Sequence, residues 1–303
     1  APPVSHGRAY GDYIKVNDEA ISFEVRADAL LSYFDENTRF EDYPKSLESS
    51  CDEALSKYWA SLGDIFVFDA FGSSHRCHAS TYGISKYLKS YAGFLVEEEV
   101  TMLNKAIHQR KTMILGGGKV DDKIDVINNL INTCDKLLLG GAMCFTFLKA
   151  KGYNVGKNEV VEDKLEYAKN LLETNGKKII LPVDFVSEHG VVEVENISDD
   201  DILYDIGPKT ISKYKEAIFD SNLVLWNGPL GKYEDERFAE GTKSLMTYLN
   251  KQSIVTILAG GDIVACAKKL GAKFTFVSTG GGATLEYLER KRLFESKDGG
   301  WEN

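Results

Sequence analysis

The chain has 303 residues, with 36 lysines and arginines against 46 aspartates and glutamates, a net charge of −10. Its length suggests about two domains with sizeable cores, and its acidity argues against a general nucleic-acid binder or a protein of anionic membrane surfaces. Five scattered cysteines without a C-x-x-C pair suggest neither a disulfide framework nor a zinc site, which fits a reducing cytosol.

In chain order, residues 1–11 are loop-like and 21–25 suit a short strand. Residues 52–62 read as a helix stopped by Gly63-Asp64, and 65–68 as a strand. A long helix is expected over 94–107, joining two lobes. From there the pattern is regular. Apolar runs at 111–115, 136–139, 179–182, 223–226, 255–258 and 274–277 read as strands. Helical patterns follow at 120–132, 163–173, 208–219, 237–249, 263–270 and 283–290, and a hairpin centred on His189-Gly190 interrupts the series at 186–194. The alternation predicts a six-stranded parallel sheet covered on both faces. The nearly apolar run 137–148 contains Gly140-Gly141 and is too short to span a bilayer. The tail, 295–303, is polar.

The stretch MILGGGKVDDKIDVINNL at 113–130 reads as a strand, a glycine turn and a helix. Glycines let the backbone approach a ligand closely, and a helix N-terminus suits phosphate. Lys119 and Lys123, at i and i+4, share a helix face. The stretch matches neither a P-loop nor a dinucleotide fingerprint, because Val120 follows the lysine and Asp121 ends the glycine spacing. An ordinary glycine turn with two solvated lysines remains the plain alternative. Against it, the apolar runs end in Gly116, Gly140-Gly141, Asp184, Asn227-Gly228, Gly260-Gly261-Asp262 and Ser278-Thr279-Gly280. Ligands of open parallel sheets bind beyond such ends, so one long crevice is expected. His75-Arg76-Cys77-His78 lacks the second ligand cluster a metal would want. Asp199-Asp200-Asp201 reads as a solvated loop, and Phe145, Phe147, Trp226 and Tyr233 as core.

Taken together, LGGGKVDDKI (115–124), GGAMCFTFLKA (140–150), LPVD (181–184), DIGPKT (205–210), WNGPLGKYE (226–234), GGD (260–262) and STGGGATLE (278–286) resemble the phosphoglycerate kinase family in order and spacing. ENTRF (36–40) and KYWASLGDIFVFDAFGSSHRCHAS (57–80) resemble its first lobe. The resemblance implies a two-lobed α/β kinase with a doubly wound parallel sheet in the C-terminal nucleotide lobe. Residues 1–95 would be a reduced substrate lobe, 96–290 the nucleotide lobe with its hinge helix, and 291–303 a tail. It further implies reversible phosphoryl transfer between 1,3-bisphosphoglycerate with ADP and 3-phosphoglycerate with ATP, assisted by Mg²⁺, in a cytoplasmic monomer without nucleic-acid or membrane partners. The alternative is a non-catalytic relative that binds nucleotide and serves as an interaction protein.

By the same resemblance, Lys119 meets the transferring phosphoryl, Lys123 the nucleotide phosphates, and the amides around Gly281 the transition-state charge. Gly118, Gly141, Gly207, Asn227, Gly228, Gly261 and Asp262 line the nucleotide path, Glu234 takes the ribose and Asp262 the metal. His6, Arg8, Arg39 and Arg76 hold the substrate. Several departures are visible. The family's Asp-Phe-Asn-x-Pro segment and first-lobe catalytic arginine have no counterpart, and the closing Leu-Pro-Gly segment is not found after Leu293. Ser5-His6-Gly7-Arg8 is one residue short, Phe68 stands for asparagine, Gly118 for alanine, and Ile263 for a hydroxyl residue. On the order of 100 residues of the family's usual length are unaccounted for. These departures predict a chain that binds nucleotide but transfers phosphoryl weakly, with a longer form active.

Overall fold

The computed structural model describes residues 13–16, 19–22, 45–107, 109–118, 127 and 130–290. The chain divides into two compact units, one ending at Thr101 and the other comprising Met102–Lys291.

In the first unit, β1 (Tyr13–Val16) and β2 (Glu19–Ser22) pair antiparallel. The expected strand therefore ends at Ser22, and Val25 lies outside the described residues. Helix α1 (Lys45–Ser49) precedes α2 (Glu53–Ala60), whose N-cap Asp52 accepts from the Leu55 amide at 2.9 Å. Leu55, Trp59 and Ala60 on α2 pack with Ala79 and Ile84 into a small core. Beside it, β3 (Phe66–Phe68) pairs in parallel with β4 (Ser90–Ala92). Helix α3 (Phe94–Ile107) follows, with the bounds its apolar spacing predicts.

The second unit is built on a six-stranded sheet in the order β13-β12-β11-β5-β6-β7. Its strands are β5 (Lys111–Leu115), β6 (Lys136–Leu139), β7 (Ile179–Ile180), β11 (Leu223–Asn227), β12 (Val255–Ala259) and β13 (Phe276–Ser278). Every pairing is parallel, as expected from the six apolar runs. Every residue of β5 and β11 is buried, which explains why Met113–Leu115 and Leu223–Trp226 are consecutive apolar residues rather than alternating ones. The covering helices are α4 (Met143–Ala150), α5 (Leu165–Asn175), α6 (Pro208–Ile218), α7 (Glu240–Leu249), α8 (Gly261–Lys269) and α9 (Gly281–Arg290).

A second sheet is antiparallel. The expected hairpin is present as β8 (Asp184–Ser187) and β9 (Gly190–Glu193), and β10 (Leu203–Ile206) pairs with β8 from the other side. This corrects the reading of Asp184 as a crevice end. Strand β7 stops at Ile180, and Asp184 opens the next strand. Its fully buried carboxylate accepts from the amides of Lys209 and Thr210 at 2.9 and 2.7 Å, capping the first turn of α6 from a distance.

A cleft at the reversal of strand order

The chain leaves β5 toward β6 and β7, then returns to β11 and continues outward through β12 and β13. Strands β5 and β11 are neighbours, so the sheet order reverses between them, where open α/β sheets form a crevice. The loops leaving their ends come into backbone contact. The Gly116 amide donates to Asn227 O at 2.8 Å and the Gly117 amide to Pro229 O at 2.7 Å. A Cβ on Gly116 would lie 2.2 Å from Pro229 O, and one on Gly228 would lie 2.3 Å from Gly116 O. The loop after β6 joins them: the Gly141 amide donates to Leu230 O at 3.1 Å and the Ala142 amide to Gly117 O at 3.0 Å. Gly141 has φ +60°, and a Cβ there would sit 2.5 Å from Gly117 N. Three loops interlock at distances no side chain would permit, so Gly116, Gly141 and Gly228 are steric requirements, whereas a Cβ on Gly118 would meet nothing within 4 Å.

These loops border a cleft of about 320 Å³. Phe145, Phe185, Leu203 and Leu230 give its lining an apolar part, with the Phe145 and Phe185 rings 5.3 Å apart. The lining also includes Gly118, Glu234 and Asp262. Among the described lining residues, four are carboxylates (Glu159, Asp205, Glu234, Asp262) and one is a lysine, Lys232. Both Glu234 and Asp262 are exposed. Tyr233 lies between their influences: burial first, then the charges of Glu234 and Asp262, push its phenol above the usual range.

Asn227, Gly228 and Gly261 are next to or near rim residues in the chain, but neither they nor Gly281 are part of the cleft lining. Asn227 is buried at the end of β11, and its Nδ2 donates to Ala259 O at 2.7 Å. Its Oδ1 is a buried acceptor without a hydrogen-bond partner among the described residues. A Cβ on Gly281 would lie 2.9 Å from both Asn227 Nδ2 and Gly260 Cα, so the ends of β11, β12 and β13 meet tightly there. Gly261 and Gly281 begin α8 and α9, where first-turn amides lack intrahelical acceptors. Ile263 is fully buried, so the side chain that departs from the family pattern belongs to the core.

Gly207 does not line the cleft. It precedes α6, and the carboxylate of Asp184 fills the space its Cβ would need, at 2.3 Å. Phe145, Phe147 and Trp226 are buried as expected, Phe145 also forming cleft wall, whereas Tyr233 is half-buried and outside the core, which corrects its sequence reading. In the first unit Arg76 is exposed, its Nε 3.4 Å from His75 Nε2. His6, Arg8, Arg39, Lys119 and Lys123 lie outside the described residues. No periodicity announced the cleft walls Phe185 and Leu203 or the buried carboxyl of Asp205.

A family model described as phosphoglycerate kinase matches residues 19–291. The phosphoglycerate kinase of Staphylococcus haemolyticus is 47% identical over 286 residues, which cover 90% of this chain and 72% of that protein. That of Lacticaseibacillus casei is 46% identical over 307 residues, covering 96% and 74%. Among solved structures, phosphoglycerate kinase from Coxiella burnetii matches with a TM-score of 0.72 at 36% identity, covering 81% of this chain and 68% of that one. The enzyme from Pyrococcus horikoshii matches with a TM-score of 0.71 at 30% identity, covering 80% and 66%.

Proposed function

The chain belongs to the phosphoglycerate kinase family, and from that premise we propose that the cleft between the β5 and β11 ends is its nucleotide site. The family reaction is reversible phosphoryl transfer between 1,3-bisphosphoglycerate with ADP and 3-phosphoglycerate with ATP. The acceptor is a carboxylate, already ionised near neutral pH, so no general base is required. Catalysis reduces to holding the two substrates in line and stabilising charge on the transferring phosphoryl.

The interlocked loops of Gly116, Gly117, Gly141 and Gly228 carry the reading, because they close one side of a cleft, at the reversal of strand order, whose lining combines apolar side chains with carboxylates. The apolar lining side chains Phe145, Phe185 and Leu203 suit the purine. Glu234 accepts from the ribose hydroxyls. Gly118, Asn227, Gly228 and Gly261 line the phosphates, and the amide of Gly281 faces the developing charge. Lys119 and Lys123 supply the cations that a rim of four carboxylates and one lysine lacks.

The same imbalance supports magnesium. Asp262 presents an exposed carboxylate, and Asn227 Oδ1 is an unpartnered oxygen at the neighbouring strand end. Oxygen donors of this kind fit a hard cation that keeps part of its water. Bound there, Mg²⁺ would neutralise charge on the nucleotide phosphates. Arg76, with His6, Arg8 and Arg39, would hold 3-phosphoglycerate, whose phosphate and carboxylate match the guanidinium fork. The division between the units falls within α3, which supports reading that helix as the connector of two lobes. We read the chain as a cytoplasmic monomer acting on small molecules, and its net charge of −10 argues against nucleic acid or an anionic membrane surface as partner. No helix among the described residues is long and apolar enough to cross a membrane.

Calorimetry with Mg-ADP tests the site. Glu234→Ala and Asp262→Ala should each weaken binding about tenfold or more, as expected for losing one charge-assisted contact. With EDTA present, the Asp262→Ala effect should disappear and the Glu234→Ala effect persist. Both variants binding like wild type would overturn the assignment.

A further inference from the structure

We infer that Asp205 is a positioning residue for nucleotide: it fixes the 228–235 loop, and through that loop the Glu234 carboxylate, in the geometry that binds. This rests on the cleft being the nucleotide site. Asp205 lies on β10 and is 2% exposed. Its two oxygens are used separately, Oδ1 accepting from the Ile206 amide at 2.9 Å and Oδ2 from the Gly241 amide at 2.7 Å. The second amide belongs to the first turn of α7, where a carboxylate also meets the positive end of the helix dipole.

Two glycines close over this carboxylate. A Cβ on Gly231 would lie 2.1 Å from Oδ1, and one on Gly241 would lie 2.4 Å from the same atom. Gly231 is the middle of the loop, so the loop backbone rests directly on the side chain. Around this contact the loop is tied at two more points. The Leu230 amide donates to Thr242 Oγ1 at 3.0 Å, and the Lys232 amide to Tyr204 O at 2.8 Å. Tyr204, one residue before Asp205, stacks on Phe238 with centroids 4.4 Å apart. Strand β10, the loop and the start of α7 therefore share one buried carboxylate.

The loop supplies Pro229, Leu230, Gly231, Lys232 and Glu234 to the cleft wall. Glu234 itself is exposed, so its own surroundings do little to fix it. Its position is inherited from the backbone three residues earlier, which lies on Asp205. An asparagine would keep the size of the side chain and one acceptor, but would turn an NH₂ group toward one of the two amides. The loop would then lose a tether while the core stayed filled.

The test is Asp205→Asn, with Thr242→Val as a milder loss of a neighbouring tether. Calorimetry with Mg-ADP should show about tenfold weaker binding for Asp205→Asn and a smaller loss for Thr242→Val. Amide exchange at Leu230, Lys232 and Gly241 should speed up in both. In turnover assays the KM for ADP should rise and the KM for 1,3-bisphosphoglycerate stay unchanged, a split that general destabilisation would not produce. Wild-type affinity for Mg-ADP in a folded Asp205→Asn protein overturns the inference. If that variant does not fold, wild-type affinity in Thr242→Val overturns it instead. If Glu234→Ala binds like wild type, the site assignment fails and this inference with it. If Glu234→Ala is weakened while Asp205→Asn is not, only this inference fails.

Discussion

Replacing Gly116 by alanine should damage the protein far more than the same change two residues later at Gly118. At Gly116 the new methyl would meet Pro229 O at 2.2 Å, Pro229 C at 2.9 Å and Gly228 O at 3.0 Å. All three are backbone atoms of the facing loop, so no side chain can swing aside. An ordinary contact needs the backbones to part by about 1 Å, which breaks into the 2.8 Å and 2.7 Å hydrogen bonds that join them. Overpacking of this kind costs about 1–3 kcal/mol, and two weakened hydrogen bonds add about 0.5–1.5 kcal/mol each. The sum, about 2–6 kcal/mol, corresponds to a loss of about 4–24 °C in Tm for a unit of this size. At Gly118 a Cβ meets nothing within 4 Å and φ is not left-handed, so Gly118→Ala should stay within about 0.5 kcal/mol of wild type. Thermal unfolding followed by circular dichroism measures both, and Mg-ADP affinity should follow the same order. Equal effects at the two positions, or a larger one at Gly118, would refute the argument that close backbone approach dictates the glycine.

Asp184→Ala should cost about 3 kcal/mol in urea unfolding, because it strands the Lys209 and Thr210 amides and the Thr210 hydroxyl that now donate to one buried carboxylate; a change under about 1 kcal/mol would show that α6 does not depend on this cap. Asp205 gives a pH dependence. Burial pushes its carboxyl up to about 7 despite the Gly241 and Ile206 amides, with Glu240 on α7 raising it further. Between about pH 4 and 7 the native state then holds a proton that the unfolded chain has released, so this group's contribution falls as pH rises. Wild type should lose about 2–3 kcal/mol relative to Asp205→Asn between pH 5 and 7, and parallel stability curves would contradict that.

How much could be read beforehand depended on the element. The six strands were legible because a sheet covered on both faces writes each strand as an apolar run, and β5 and β11 are buried at every position. Asn227 was read as the turn after its strand, yet it pairs with Leu115 and Ala259 as the last residue of β11. Helix α4 escaped notice for the opposite reason. Met143–Leu148 is buried throughout, so no polar face marks a helical period. Strand β10 was missed because its four residues straddle a register shift and run straight into the turn before α6. The cleft rim, Gly118, Gly141, Glu234 and Asp262, was named from motif resemblance, which reports order along the chain. The apolar wall and Asp205 were not, because their neighbours come from distant segments: Phe145 meets Phe185, and Asp205 meets Gly231 and Gly241.

The most direct test of the central claim is a crystal structure of this chain grown with Mg-ADP. It should show the purine between Phe145, Phe185 and Leu203, the ribose hydroxyls on Glu234, and a metal ion bound through Asp262. Nucleotide bound elsewhere on the chain, or a cleft left without nucleotide at saturating Mg-ADP, would contradict it.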